Sequence, residues 1–303
     1  MGLAYCILAH KNPAQLARLL RALARPGNCF FLHYERRAPR REHEAVARLA
    51  REFPGVCLLR PRPILWGRYS VVGVQLEALE RALALHAEWT HFIPLSGQDF
   101  PLRSPEALST ELAAAGSASF LSFFDPVAEP LWPNFADRVE RYYVESAALE
   151  AFLKTPFLGR RVRGLLGWTN RMPFVPFLRR KAPAWFQYRG GSNHVILSRE
   201  AAAYLAGAPA ARRIIRWLRH SGIPDESVFQ SVLCNSPLAA SLVNDDRRAI
   251  LWERQGAPSP VTLTSAHLPW LRAQRESGKL FARKFDAAVD DAILAALEKD
   301  LDL

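Results

Sequence analysis

Two neighbouring carboxylates stand out in the run Ile223-Pro224-Asp225-Glu226-Ser227-Val228-Phe229-Gln230, which reads as a loop entering the first turn of a helix. A carboxylate in that setting can accept a proton. Some thirty residues upstream, Arg189-Gly190-Gly191-Ser192-Asn193-His194 reads as a low-bulk loop feeding a strand. Downstream, Leu280-Phe281-Ala282-Arg283-Lys284-Phe285-Asp286 reads as a basic turn before a last helix. Together these runs suggest an acid-base residue, a pocket shaped for a sugar and a phosphate-binding cation.

Such groups must converge, so the elements carrying them decide the reading. The first hundred residues alternate strand and helix: an apolar run at 4–9, a helix at 13–24 with Leu16, Leu19, Leu20 and Leu23 on one face, and a second apolar run at 29–33. That is a βαβ unit and implies parallel pairing. The pattern continues with a helix at 41–52, a strand at 56–59, a helix at 72–86 and a strand at 91–95. Right-handed crossovers put the carboxyl ends of these strands on one edge, where nucleotides bind in open α/β sheets. His10, the run from His33 to Arg36, Trp66 and the turn Ser96-Gly97-Gln98-Asp99 fall at those ends.

Between 126 and 187 the composition shifts. Pro126, Pro130, Pro133, Pro156, Pro173, Pro176 and Pro183 interleave with Trp132, Trp168, Trp185 and many arginines, which reads as an irregular, partly helical insertion covering the crevice or binding an acceptor. Regular order returns with a strand at 194–198, helices at 199–205, 210–219 and 225–235, a strand at 249–252 and a closing helix at 285–300. One integrated domain follows: residues 1–125 binding a nucleotide, 126–188 inserted, and 189–303 carrying the chemistry.

The 303 residues are half apolar and carry a formal charge of +11, from 40 Lys and Arg against 29 Asp and Glu. That balance favours a polyanionic partner such as nucleic acid, anionic lipid, nucleotide phosphates or an acidic glycan, and solvated surface arginines explain any single cluster equally well. No RNA-binding, helix-turn-helix or zinc pattern argues for nucleic acid. Four scattered cysteines read as buried, reduced thiols, in keeping with a cytoplasmic location. The amino-terminal apolar run is too short for a signal or a span and no segment approaches the ~20 apolar residues a membrane helix needs, so any membrane contact is peripheral, at the inner face.

In register, these motifs resemble the core-2/I-branching β-1,6-N-acetylglucosaminyltransferases and their xylosyltransferase relatives, in their bacterial form. The matching strings are Ala4 to Lys11, Leu16 to Leu23, Leu95-Ser96-Gly97-Gln98-Asp99-Phe100-Pro101-Leu102, Gly190-Gly191-Ser192, Pro224-Asp225-Glu226 and Phe281 to Asp286. The resemblance implies a GT-A-like, Rossmann-related mixed sheet flanked by helices, and inverting, metal-independent transfer of a sugar from a UDP-sugar to a glycan or glycolipid hydroxyl. GlcNAc is the expected sugar, with xylose the alternative. A non-catalytic basic module binding nucleic acid or acidic glycan is the rival from another class.

By position, the resemblance makes Glu226 the catalytic base and Lys284 the cation facing the leaving diphosphate. It places Ala9, His10, Glu35, Trp66 and the turn Ser96, Gly97, Gln98 and Asp99 on the donor. On the acceptor it places Arg138, Arg141, Gly191, Ser192 and Trp252. The alternatives are helix capping for the 225–226 pair, a solvated side chain for Lys284 and a core aromatic for Trp66 and Trp252. No cofactor or metal is expected, because the Ser96–Asp99 turn holds a single acid and the only literal Asp-x-Asp, Asp300-Leu301-Asp302, lies at the carboxyl terminus. The family also carries an arginine some twenty residues before Lys284. Here Val261-Thr262-Leu263-Thr264 holds none, which leaves Arg254, Arg283 or an arginine of the insertion to supply the second charge.

Overall fold

The computed structural model describes residues 1–85, 88–129, 131, 135–166, 173–181, 183–254, 257 and 259–302. Trp132 and Trp168, Pro130 and Pro133 of the insertion, and His86, the expected end of the third helix, lie outside the described residues. Twelve strands appear among those described: β1 (Gly2–Ala9), β2 (Cys29–Tyr34), β3 (Val56–Leu58), β4 (Trp89–Ser96), β5 (Asp99–Pro101), β6 (Ser119–Leu121), β7 (Arg141–Tyr143), β8 (Phe174–Arg179), β9 (Val195–Ser198), β10 (Leu242–Val243), β11 (Arg248–Ile250) and β12 (Phe281–Arg283).

Seven of them form the central sheet in the order β10-β6-β9-β4-β1-β2-β3. The β4-β1-β2-β3 half is parallel, as the alternation of strand and helix requires. Strand β9 runs antiparallel to both β4 and β6. Mixing follows from the chain path, since β9 arrives after the insertion and not through a helical crossover.

Strand β1 is buried on both faces, and its residues alternate between two cores as a two-residue period demands. Leu3, Tyr5, Ile7 and Ala9 join one cluster with Leu16, Leu19, Leu20 and Leu23 of the helix Pro13–Leu23 and with Ile293, Leu294 and Leu297 of the helix Ala292–Asp300. Ala4 and Cys6 join the other, with Val72, Ala78 and Leu79 of the helix Ser70–Ala84 and Phe229, Val232 and Leu233 of the helix Val228–Cys234. Cys6 and Cys29 are buried thiols as expected, whereas Cys57 and Cys234 are half-buried; all four are free.

Three elements differ from expectation in ways that matter for the site. The expected helix at 225–235 is a 3-10 turn, Pro224–Glu226, broken at Ser227 before the helix Val228–Cys234. The closing helix begins at Ala292, so 285–291 stays in turns at the sheet edge. Strand β11 stops at Ile250, and Trp252 lies in the loop beyond it. The insertion holds an antiparallel pair of strands distant in sequence, β7 with β8, that its scattered prolines concealed, and the helices Phe135–Glu140, Ala147–Leu153 and Leu158–Leu165.

Strands β11, β12 and β5 make a second small sheet with β12 in the centre, antiparallel to β5 and parallel to β11. It joins the turn after β4 to the carboxyl-terminal segment.

Gly191 shows how tightly the return from the insertion is packed. A Cβ there would sit 1.9 Å from the carbonyl oxygen of Ser122. Gly191→Ala forces the backbone of one partner to move, an overpacking penalty of ~1–3 kcal/mol. A urea titration should show a lowered midpoint with an unchanged slope.

Candidate active site

The carboxyl ends of β1, β2 and β4 meet at one edge, as anticipated. The Glu35 backbone N–H donates to the Ala9 carbonyl (2.9 Å) and that of Gly97 to the Leu8 carbonyl (2.9 Å). Gly97 has to be small, because a Cβ would lie 2.9 Å from that of Ala9. The Phe285 N–H donates to the Gln98 carbonyl (2.9 Å), and Gln15 reaches from its helix to the carbonyls of both Gly97 and Phe285. These bonds carry the turn holding Lys284 to the ends of β1 and β4.

Asp99 is fully buried. It accepts from the Ser96 N–H (2.8 Å) and hydroxyl (2.9 Å) and pairs with Arg283 at 3.4 Å. Expected on the donor, it acts from beneath as the group that fixes the turn and neutralises Arg283. Arg283, a candidate for the second phosphate cation, is thereby tied to a fully buried carboxylate and has its side chain only 19% exposed. Ser96 and Gln98 are half-buried at the surface of the turn.

Glu35 was expected to receive hydrogen bonds from a nucleoside, but its acceptor positions are filled from within. Oε1 takes the Arg37 N–H (3.0 Å) and Nε (2.9 Å); Oε2 takes Arg37 Nη2 (3.2 Å) and the Ile64 N–H (2.8 Å). The carboxylate therefore holds the 62–66 segment against the end of β2. Trp66 follows on that segment and is 66% exposed, so it is a surface aromatic and not a core one. Trp66 lines a recess with Leu65, Arg68, Val144, Ser146, Glu150 and Pro173, where the nucleotide-side loop faces the insertion.

The next residue, Gly67, accepts from the Ile223 N–H (3.2 Å). Ile223 adopts φ 51°, a left-handed conformation unusual for a β-branched residue, and initiates the turn Pro224–Glu226. The Glu226 carbonyl accepts from Gly191 N–H (2.9 Å), which pins the turn from the other side. Gly191 is thus buried for backbone reasons, to meet Ser122 and Glu226, and does not offer the open sugar-facing surface expected of it. Ser192 is half-buried beside it, its carbonyl held by Gln230 Nε2 (2.6 Å).

No side chain caps the 224–226 turn. Glu226 instead pairs with Arg138 Nη1 at 2.8 Å, and its side chain remains about a third exposed. Burial raises its proton affinity while the guanidinium lowers it, leaving the carboxyl above its ordinary range. Arg138, expected on the acceptor, is held by its own backbone, whose carbonyl accepts from Gly222 N–H (2.8 Å). Asp225 is buried, with Oδ1 unpartnered and Oδ2 at 3.5 Å from Asn193 Nδ2. Burial first, then the charge of Glu226, pushes its pKa up to about 7.

Lys284 Nζ lies 2.9 Å from Ser259 Oγ, on the loop that follows β11. The Lys284 carbonyl accepts from Leu263, and Val261 N–H donates to Leu251, so the 251–263 connection packs beside the lysine. Trp252, 48% exposed, belongs to that connection. Arg141 pairs with Asp137 at 2.8 Å and stacks on Phe174 within the insertion. Neither is joined to Glu226 by a described contact, so the expected acceptor group divides between two connections.

Sequence reasoning gave no role to a second lysine at the edge. Lys11, 43% exposed, pairs with Asp286 at 2.5 Å, and the Asp286 carboxyl is held below its ordinary range by Lys11 and, more weakly, by Lys284. Its signal was present: Lys11 follows His10 at the end of β1, and Asp286 follows Lys284 by two. His10, between them and Glu35, has its proton affinity lowered by desolvation and by Lys11, which favours a neutral ring. Among the described residues, no three His, Cys, Asp or Glu side chains converge as a metal-binding group, and no helix is long and apolar enough to cross a membrane.

The sheet's carboxyl edge thus carries two lysines, and the loop after β2 carries an exposed aromatic next to the Gly67 that holds the Glu226 turn, at the edge where open α/β sheets bind ligands. The profile of the Core-2/I-Branching enzyme family matches residues 3–271, and the chain belongs to that family. A relative from Danio rerio, beta-1,3-galactosyl-O-glycosyl-glycoprotein beta-1,6-N-acetylglucosaminyltransferase 4, is 26% identical over 99% of this chain and 69% of its own length. The xylosyltransferase oxt of Drosophila melanogaster is 25% identical over 94% of this chain, which spans only 32% of that relative. The apo structure of mouse xyloside xylosyltransferase 1 is similar over 93% of this chain and 97% of its own, at 12% identity and a TM-score of 0.39. These relatives are glycosyltransferases by name, and this chain is of that enzyme class.

Asp225 gives a stability test. A carboxyl raised to about 7 in the fold and near 3.9 when unfolded contributes stability that is complete below the unfolded value and lost as pH rises through 7. Asp225→Asn keeps the shape and removes the charge. It should match the wild type near pH 4 and exceed it at pH 8, by at most about 4 kcal/mol, in thermal melts across that range.

Proposed function

We propose that the protein is an inverting, metal-independent glycosyltransferase that moves GlcNAc from a UDP-sugar to a hydroxyl of a glycan or glycolipid. Glu226 is the base and Lys284 the principal cation for the departing diphosphate. The observation that carries this reading is a partly exposed carboxylate of raised proton affinity on a turn pinned from three directions, by Gly67, Gly191 and Arg138.

In the reaction, the acceptor oxygen attacks the anomeric carbon as its proton passes to a Glu226 carboxylate oxygen. The bond from that carbon to the diphosphate oxygen breaks, and the electron pair leaves with UDP. An acceptor hydroxyl approaching Glu226 competes with Arg138 for the same carboxylate. Loosening that ion pair strengthens the base at the moment it is used. The negative charge growing on the diphosphate is met by fixed cations, the alternative to a divalent ion. Lys284 provides one. Lys11 provides the second, in place of the arginine absent from 261–264; both flank Asp286 at the carboxyl edge.

Metal independence is supported by the state of Asp99, the single acid of the turn, which is buried and engaged by Ser96 and Arg283. In this reading the exposed Trp66 stacks on the nucleobase, and Glu35 serves by holding the loop that presents it. A panel of UDP-sugars in donor hydrolysis separates GlcNAc from xylose use.

Glu226→Gln should lower transfer by ~100-fold or more while UDP binding, read by calorimetry, is kept; full activity would overturn the assignment. In the same assay Arg138→Ala should move the acid limb of the kcat/KM profile to higher pH, because removing a cation raises a carboxyl's proton affinity. Lys284→Ala should cost ~100- to 1000-fold in turnover, and EDTA should leave wild-type turnover intact.

A further inference from the structure

The insertion ends in a surface with an unusual composition. From Ala151 to Leu166 the chain reads Ala-Phe-Leu-Lys-Thr-Pro-Phe-Leu-Gly-Arg-Arg-Val-Arg-Gly-Leu-Leu, with four basic residues and no acidic one. It covers the end of the helix Ala147–Leu153 and all of Leu158–Leu165, which pack together closely at Gly159, where a Cβ would lie 2.6 Å from the Phe152 carbonyl oxygen. This packing uses Leu153 and Gly159 and leaves the larger apolar side chains outside. Phe157 is 70%, Leu158 55% and Leu165 86% exposed, beside exposed Lys154, Arg160 and Arg161.

Exposed large apolar side chains beside arginines that form no ion pair among the described residues fit neither a protein core nor a merely solvated face. They match the requirements of a lipid-water boundary, where apolar groups enter the acyl region and basic groups meet anionic headgroups. Arg161 lies over the Phe157 ring at 4.4 Å, so charge and apolar surface are presented side by side. Glu150, one residue before this stretch, pairs with Lys154 and lines the recess next to Trp66. The surface therefore adjoins the crevice.

We infer that residues 151–166 form a docking surface for an anionic lipid bilayer, holding the enzyme with the Trp66 recess next to the membrane. Basic charge near such a surface contributes about 1 kcal/mol per residue, or roughly fivefold in partitioning, so two removed charges lower the partition coefficient about 30-fold.

The test is sedimentation of the full chain with phosphatidylcholine vesicles and with vesicles containing 30% phosphatidylglycerol. Binding should require the anionic lipid and weaken with salt. Arg160→Ala with Arg161→Ala should lower it about 30-fold, and Phe157→Ser with Leu158→Ser should lower it as well, with melting temperatures unchanged because these side chains are exposed. Equal binding to both vesicle types, or binding that survives both double variants, overturns the proposal. So does self-association through this surface, seen as a concentration-dependent sedimentation coefficient that the Phe157 and Leu158 variant abolishes. Donor hydrolysis by soluble enzyme is read in parallel and is unaffected by these variants, so failure here leaves the catalytic assignment standing.

Discussion

The ion pair between Arg138 and Glu226 is the constraint on which the site depends. A carboxylate removed from water tends to take up a proton, and a protonated Glu226 is useless as a base. One guanidinium at 2.8 Å offsets that tendency without cancelling it, so the carboxyl's proton affinity is raised, though less than burial alone would raise it. The pair also joins two distant parts of the chain, since Arg138 comes from the insertion and Glu226 from the segment after β9. Docking the insertion and setting the base are one event.

A second balance operates under the sheet edge. Asp99 and Arg283 neutralise one another in the interior, Ser96 occupies the remaining acceptor capacity of Asp99, and the result is a turn whose upper side holds half-buried Ser96 and Gln98. Buried pairing here fixes geometry, while Lys11, exposed and paired with Asp286, and Lys284, half-buried beside Ser259, stand at the rim. Glu35 follows the same division, its four acceptor contacts spent on Arg37 and Ile64 so that Trp66 can stand outside.

Much of this was legible in the sequence because strand-helix periodicity is local. The leucines at 16, 19, 20 and 23 face the core, and the strand ends of the parallel half fall on one edge as their order demands. What escaped were features set by partners far away in sequence. Gly191 looked like an opening for a ligand, yet its smallness serves the Ser122 carbonyl. Asp99 and Glu35 looked like ligands because acids at strand ends often are; Asp99 is engaged by the distant Arg283, and Glu35, besides its neighbour Arg37, by the Ile64 N–H from another loop. The 3-10 turn at Pro224–Glu226 depends on Gly67 and Gly191, neither of which is near it in the chain. The Lys11 and Asp286 pair spans 275 residues and had no periodicity to reveal it.

The place of Arg138 in the chain has one more consequence. The helix Phe135–Glu140 lies in the insertion, yet its arginine helps set the proton affinity of a carboxylate that belongs to the segment after β9. On the proposed mechanism, a change to this segment that moves Arg138 also shifts the acidity at which the enzyme works best. Remodelling the insertion and retuning that carboxylate are then a single change.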